Sequence, residues 1–115
     1  YSYLYGKTVT LLPTHCDKTN TVMLRNRRIG LSQSGIVQAI EKFGRRRYLQ
    51  NFCDAAYNEI RRWDRIYSEY FTCRESIKVT SIKPSGTVSL IAGATPGIHF
   101  PEATSYWRRI RLSKN

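Results

Sequence analysis

The run Ile77-Lys-Val-Thr-Ser-Ile82, then Lys83-Pro-Ser-Gly-Thr87, then Val88-Ser-Leu-Ile-Ala92 decides the fold. Its first part alternates Ile, Val and Thr as a strand does. The second sets a proline, which fixes φ, beside two hydroxyls and a glycine that permits close backbone approach. Thr87 suits the start of a helix, and Val88 to Ala92 is apolar enough to form a short one. Strand, Gly/Ser/Thr loop and helix start together bind phosphate well, because several N–H groups converge where the positive end of the helix dipole faces the anion. Ser85, Thr87 and Ser89 would add hydroxyl donors, and Lys83 charge at the rim. The same string also reads as ordinary turn punctuation, so on the residues alone both accounts stand. The spacing of a Walker A loop is absent.

Directly downstream, Gly93-Ala-Thr-Pro-Gly97 and Ile98-His99-Phe100-Pro101 make an irregular loop of the kind that lines pockets. His99 there is an ordinary loop histidine or a catalytic one, the former being the simpler reading. Upstream, Phe52, Ala56, Ile60, Trp63, Tyr67 and Tyr70 recur at steps of three and four, which predicts an amphipathic helix from Arg47 to Phe71. Its aromatic stripe reads as core before it reads as a stacking platform for bases. Ile36, Val37, Ile40 and Phe43 mark a second helix face closed by Gly44, and Arg27 to Ser32 a short strand. The β-branched, apolar opening from Tyr3 to Leu12 predicts another strand or extended segment ended by Pro13. Thr14 to Asn20 is turn-like, and Thr21 to Arg25 is a helical turn or two.

With 115 residues, 41% apolar composition and an aromatic share of 12%, the chain is at most one domain and is not wholly disordered. A formal charge of +11 would suit a polyanion if the cations shared one face, but the clusters Arg25 to Arg28, Arg45 to Arg47, Arg61-Arg62 and Arg108 to Arg111 are spread along the whole length. No apolar run is long enough to span a membrane, and a secretory signal pattern is absent. The three cysteines, Cys16, Cys53 and Cys73, show no metal or disulfide spacing. Because the first residue is Tyr1 and the last residues follow a hydrophobic segment without a cap, an excised piece of a longer protein is expected.

Three separated blocks carry a resemblance. They are Thr10-Leu-Leu-Pro-Thr-His15, Arg25-Asn-Arg-Arg-Ile-Gly-Leu-Ser-Gln-Ser-Gly-Ile36 and the run from Lys83 to Pro101. In that order they resemble the adenosylcobalamin-dependent (class II) ribonucleotide reductases, most closely the monomeric ribonucleoside-triphosphate type. Gly86-Thr87 and the run from Thr95 to Pro101 favour class II over other reductases of the superfamily. Cys16 departs from the pattern, since a large aromatic is expected after Pro-Thr-His.

The resemblance implies an α/β fold, with residues 1–115 forming part of a ten-stranded α/β barrel: two or three strands with their connecting helices. It implies replacement of the ribose 2′-hydroxyl by hydrogen through a cysteine thiyl radical, initiated by adenosylcobalamin and recharged by a thioredoxin-like reductant in the cytoplasm. The family's radical cysteine lies in an Asn-Pro-Cys-Gly-Glu-like loop, which has no counterpart here, so no catalytic residue is expected in this stretch. The family's phosphate loop falls on Pro84, Ser85, Gly86, Thr87 and Val88, with Lys83, Ser89, Gly97 and His99 as candidate pocket-lining residues. The expected partner is a ribonucleotide, with neither nucleic acid nor membrane. The remainder of the barrel is expected to be needed for folding and activity. The alternative is a small basic nucleic-acid-binding module.

Overall fold

In the computed structural model the described residues are 1–99, 103, 105, 107, 109 and 111–113. Phe100 and Pro101 of the last resembling block, and Arg108 and Ile110 of the last basic cluster, lie outside them.

The elements follow in the order α1 (Ser2–Val9), α2 (Asp17–Asn26), β1 (Arg28–Leu31), α3 (Ile36–Phe43), α4 (Arg45–Arg47), a π-helical segment (Tyr48–Asp54), α5 (Ala55–Tyr70), β2 (Lys78–Thr80) and α6 (Val88–Ile91). The strands pair in parallel, Arg28 opposite Lys78 and Leu31 opposite Thr80, with an irregularity between. Parallel strands need a long crossover, and the helices between Ile36 and Tyr70 supply it. Gly30 allows the strands to close: a Cβ there would lie 2.9 Å from Ser81 Cβ. The Ser81 amide then donates to the Leu31 carbonyl at 2.8 Å and prolongs the ladder.

Tyr3, Ile29 and Val79 form the buried apolar cluster, with Leu31, Ile60 and Tyr67 packed against it. The molecule is a slab of 48 × 47 × 17 Å. Its radius of gyration, 17.4 Å, exceeds the roughly 13 Å of a compact domain of this length. Ile82, Val88 and Ile91 stand exposed.

Two expectations are corrected. The Tyr3–Leu12 opening is not a strand; α1 runs from Ser2 to Val9. The i, i+4 spacing of Tyr3 and Lys7 carries both side chains onto Asp64, and this tertiary bonding overrides the β propensity of the segment. The hydroxyls of Thr8 and Thr10 are satisfied within the helix, donating to the carbonyls of Leu4 (2.8 Å) and Lys7 (2.9 Å). Second, the polar stretch before Thr21 is already helical from Asp17. Asn20 holds the preceding turn, accepting from the Thr14 amide at 2.7 Å and donating to the Thr14 carbonyl at 3.0 Å.

The long helix expected from Arg47 to Phe71 is present with one departure, the π-helical turn at Tyr48–Asp54. There Phe52 meets Phe43 at 5.0 Å between ring centroids and stacks with Tyr48 at 6.2 Å.

Candidate functional site: a cleft at the carboxyl ends of the strands

The strands end side by side, and the segments that leave their carboxyl ends border a cleft of about 470 Å³. Ser32 and Gln33 enter it after β1, Ser81 to Lys83 after β2, and Cys53, Ala56, Tyr57 and Ile60 from the long helix. In open α/β sheets this is where ligands bind. The spacing of the helical residues, i, i+3, i+4, i+7, is one helix face, with Cys53 contributed by the π-helical turn. The Tyr48 hydroxyl donates to Gln33 Oε1, and burial, then the Cys53 thiol beside it, pushes the Tyr48 hydroxyl up to about 12, so it stays a donor.

The Lys83–Val88 loop leaves β2 at this end. Ser85 takes a left-handed conformation, φ 52°, and its carbonyl accepts from the Ser89 amide at 3.0 Å, which starts α6. The amides of Thr87 and Val88 therefore stand ahead of the helix's own ladder. Thr87 occupies the N-cap position, but its hydroxyl makes no capping bond. Gly86 is informative in a different way. Its φ is not left-handed, and a Cβ there would meet nothing within 4 Å, so neither conformation nor packing among the described residues requires glycine.

Gly97 is the reverse case. Its φ is 45°, and a Cβ would stand 2.4 Å from the Lys83 carbonyl oxygen and 3.3 Å from that of Pro84. The second glycine loop thus lies directly against the backbone of the first. Of the four candidate lining residues, Lys83 and Gly97 border the cleft. Ser89 is fully buried, its hydroxyl without a partner among the described residues. His99 is exposed and does not border the cleft; its amide bonds the Pro96 carbonyl at 3.0 Å.

A buried polar cluster that sequence reasoning missed lies further along the long helix, one turn beyond Ile60. The Asp64 carboxylate accepts from the Lys7 ammonium, the Tyr3 hydroxyl and, at 2.8 Å, the Ser76 amide. Lys7 also donates to Ser68 Oγ at 2.6 Å. Burial by itself would raise the Asp64 carboxyl, but the Lys7 ammonium, then Tyr3 and Ser76, outweigh it and hold the group below its usual range. Burial, then the bond to Asp64, pushes the Tyr3 hydroxyl well above its ordinary value. A signal was available: Asp64 sits four residues after Ile60 and three before Tyr67, inside the apolar stripe. With every oxygen engaged, the cluster joins α1, α5 and the approach to β2 and has no free group for chemistry.

Several of the cations are engaged by groups of the chain itself. Arg27 is buried and donates to the carbonyls of Lys7 (3.1 Å) and Thr10 (2.9 Å). Arg61 donates to the Ser76 carbonyl at 2.8 Å, and Arg62 and Arg65 pair with Glu59 and Glu75. Arg27, buried and bonded within the fold, is not available to a polyanion. Among the described residues there is no group of three or more His, Cys, Asp or Glu side chains, and no helix is long and apolar enough to cross a membrane.

No protein-family model matches the chain. It is 53% identical over 114 residues to a protein of Dictyostelium discoideum named a probable adenosylcobalamin-dependent ribonucleoside-triphosphate reductase. It is 51% identical over 112 residues to the Euglena gracilis protein named as that reductase without qualification. The chain is a homologue of adenosylcobalamin-dependent ribonucleoside-triphosphate reductases. The two matches cover 99% and 97% of this chain but 15% of each reductase. The reductase of Lactobacillus leichmannii is 32% identical over 132 residues, which is 94% of this chain and 18% of that protein. A crystal structure of a B-12 dependent (class II) ribonucleotide reductase superposes with a TM-score of 0.77 at 32% identity, over 85% of this chain and 17% of that one. The homologous segment of the reductases is an α/β unit here, two parallel strands with their helices.

Proposed function

We propose that this chain is the part of a ribonucleoside-triphosphate reductase that holds the substrate's phosphates, with Pro84, Ser85, Gly86, Thr87 and Val88 as the binding loop. Gly86 carries the reading: among the described residues nothing stands within 4 Å of where its Cβ would lie, beyond the carboxyl end of β2, which leaves room for an anion to approach the backbone. The Thr87 and Val88 amides at the start of α6 offer donors, and Lys83 on the cleft offers charge. Anchoring the phosphates fixes the ribose, and positioning of that kind supplies several kcal/mol of a barrier without acid–base chemistry.

The reaction is replacement of the ribose 2′-hydroxyl by hydrogen, with electrons from a thioredoxin-like reductant in the cytoplasm. Adenosylcobalamin supplies the radical that starts it. The described cleft does not fit a corrin seat, being small for so large a group. We therefore assign this chain no contact to the cofactor. The thin slab and exposed apolar side chains support β1 and β2 as neighbouring strands of a ten-stranded α/β barrel, completed by the rest of the protein. On that reading the isolated segment is inactive.

The test is Ser85→Ala and Gly86→Val in the full-length enzyme. Both raise the nucleotide KM, the glycine change more, while adenosylcobalamin affinity is unchanged. An unaltered KM in both would sink the assignment.

A further inference from the structure

The two glycine loops are tied to a third element, α3. Three bonds make the connection. The Gly35 amide donates to the Thr95 carbonyl at 2.8 Å, the Thr95 amide donates to Gln38 Oε1 at 3.0 Å, and Gln38 Nε2 donates to the Gly93 carbonyl at 3.3 Å. Gln38 thus grips the loop twice, at one amide and one carbonyl. The loop it grips contains two left-handed glycines, Gly93 at φ 60° and Gly97 at φ 45°, so its backbone has much freedom to lose. A fourth bond, from the Ala94 amide to the Ser89 carbonyl at 2.9 Å, fastens the same loop to α6. Gly97, two residues beyond Thr95, lies against the carbonyls of Lys83 and Pro84.

We propose that Gln38 is a positioning residue for the phosphate loop, acting through Thr95 and Gly97. Resting on the phosphate reading above, it extends that site to a helix that follows the other strand. The side chain touches no substrate. By fixing loop 93–97 it presents Gly97 as a flat backing for Lys83 and Pro84, and so holds the following amides at one spacing. Gly35 belongs to the same device: its φ is 76°, and a Cβ there would lie 3.2 Å from Gln38 Oε1 and 3.5 Å from Ala94 Cβ. A side chain at that position would push the loop off α3.

The experiment uses the full-length reductase with Gln38→Met, Gln38→Glu, Gly97→Ala and, as reference, Gly86→Val, each assayed for nucleotide KM, kcat and adenosylcobalamin affinity. Gln38→Met is expected to raise KM about fivefold to tenfold, the scale of one lost hydrogen-bond pair, with kcat within about twofold. Gln38→Glu keeps the acceptor for Thr95 and should fall between. The double variant Gln38→Met/Gly97→Ala should be no worse than Gly97→Ala alone, because both act through one contact. A fall in kcat at constant KM would mark a merely structural role and overturn the proposal. Should Gln38→Met fail to fold, Gln38→Glu decides by the same split. If Gly86→Val raises KM and the Gln38 variants do not, the brace is wrong and the phosphate loop stands. If none raises KM, both are wrong.

Discussion

Lys7 and Asp64, 57 residues apart in sequence, are both fully buried and bonded to one another. Removing one partner strands the other where solvent has no access. Lys7→Met and Asp64→Asn in the full-length enzyme are each expected to lower the unfolding free energy of this region by about 3–5 kcal/mol. The pair Lys7→Met/Asp64→Leu should recover part of that loss, since an apolar pair leaves no buried charge. Urea unfolding followed through local hydrogen exchange measures it; two single variants at wild-type stability would refute it.

The same cluster sets a pH window. The folded value of Asp64 lies below its unfolded one, so its contribution is complete above about pH 4 and is lost as the pH falls through the lowered value. Tyr3 is displaced upward, so its contribution is complete below about pH 10 and is lost as the pH rises through the raised value. Stability from the cluster is flat between these limits. Asp64→Asn should weaken the acid limb, and Tyr3→Phe the alkaline one, in a pH series of thermal unfolding. An acid limb unchanged in Asp64→Asn contradicts the assignment.

Gly30 offers a rescue experiment. Its Cβ position overlaps Ser81 Cβ at 2.9 Å, so Gly30→Ala should cost about 1–3 kcal/mol by overpacking the ladder beside the cleft. Gly30→Ala/Ser81→Gly removes the second atom of the clash and should restore most of it. Equal stability of the single and double variants would show that the strands do not approach there.

Arg27 combines a left-handed backbone, φ 45° and ψ 55°, with a guanidinium that binds the Lys7 and Thr10 carbonyls near the end of α1. Arg27→Ala loses the bonds and keeps the backbone cost, whereas Arg27→Gly loses the bonds and relieves it. The glycine variant should be the more stable by about 1 kcal/mol in thermal unfolding, and the reverse order would refute the backbone argument.

Much of this was legible beforehand because it is local. The strand around Val79, the strand around Ile29, and the helix from Ile36 to Phe43 follow from side-chain period and from Gly44. The phosphate reading proposed for Lys83 to Val88 rests on the same kind of local pattern. What escaped depends on distant partners. Helix α1 hides behind β-branched residues because its anchors, Asp64 and Ser76, lie far along the chain, at separations of 61 and 73 residues from Tyr3. Gln38 has no local sign of its role, since Gly93 and Thr95 reach it only after β2 has paired with β1.

The parallel register carries a kinetic consequence. Arg28 cannot meet Lys78 until the whole crossover between them has been synthesised, and the Tyr3 hydroxyl must wait for Ser76. A nascent chain released before Thr80 would hold helices but neither the ladder nor the cleft, with α1 still without its anchors. High contact order of this kind makes assembly slow and late. The loop proposed to hold phosphate, shortly after the last strand residue Thr80, would acquire its shape only as the segment closes, so its formation is tied to the pairing of the two strands.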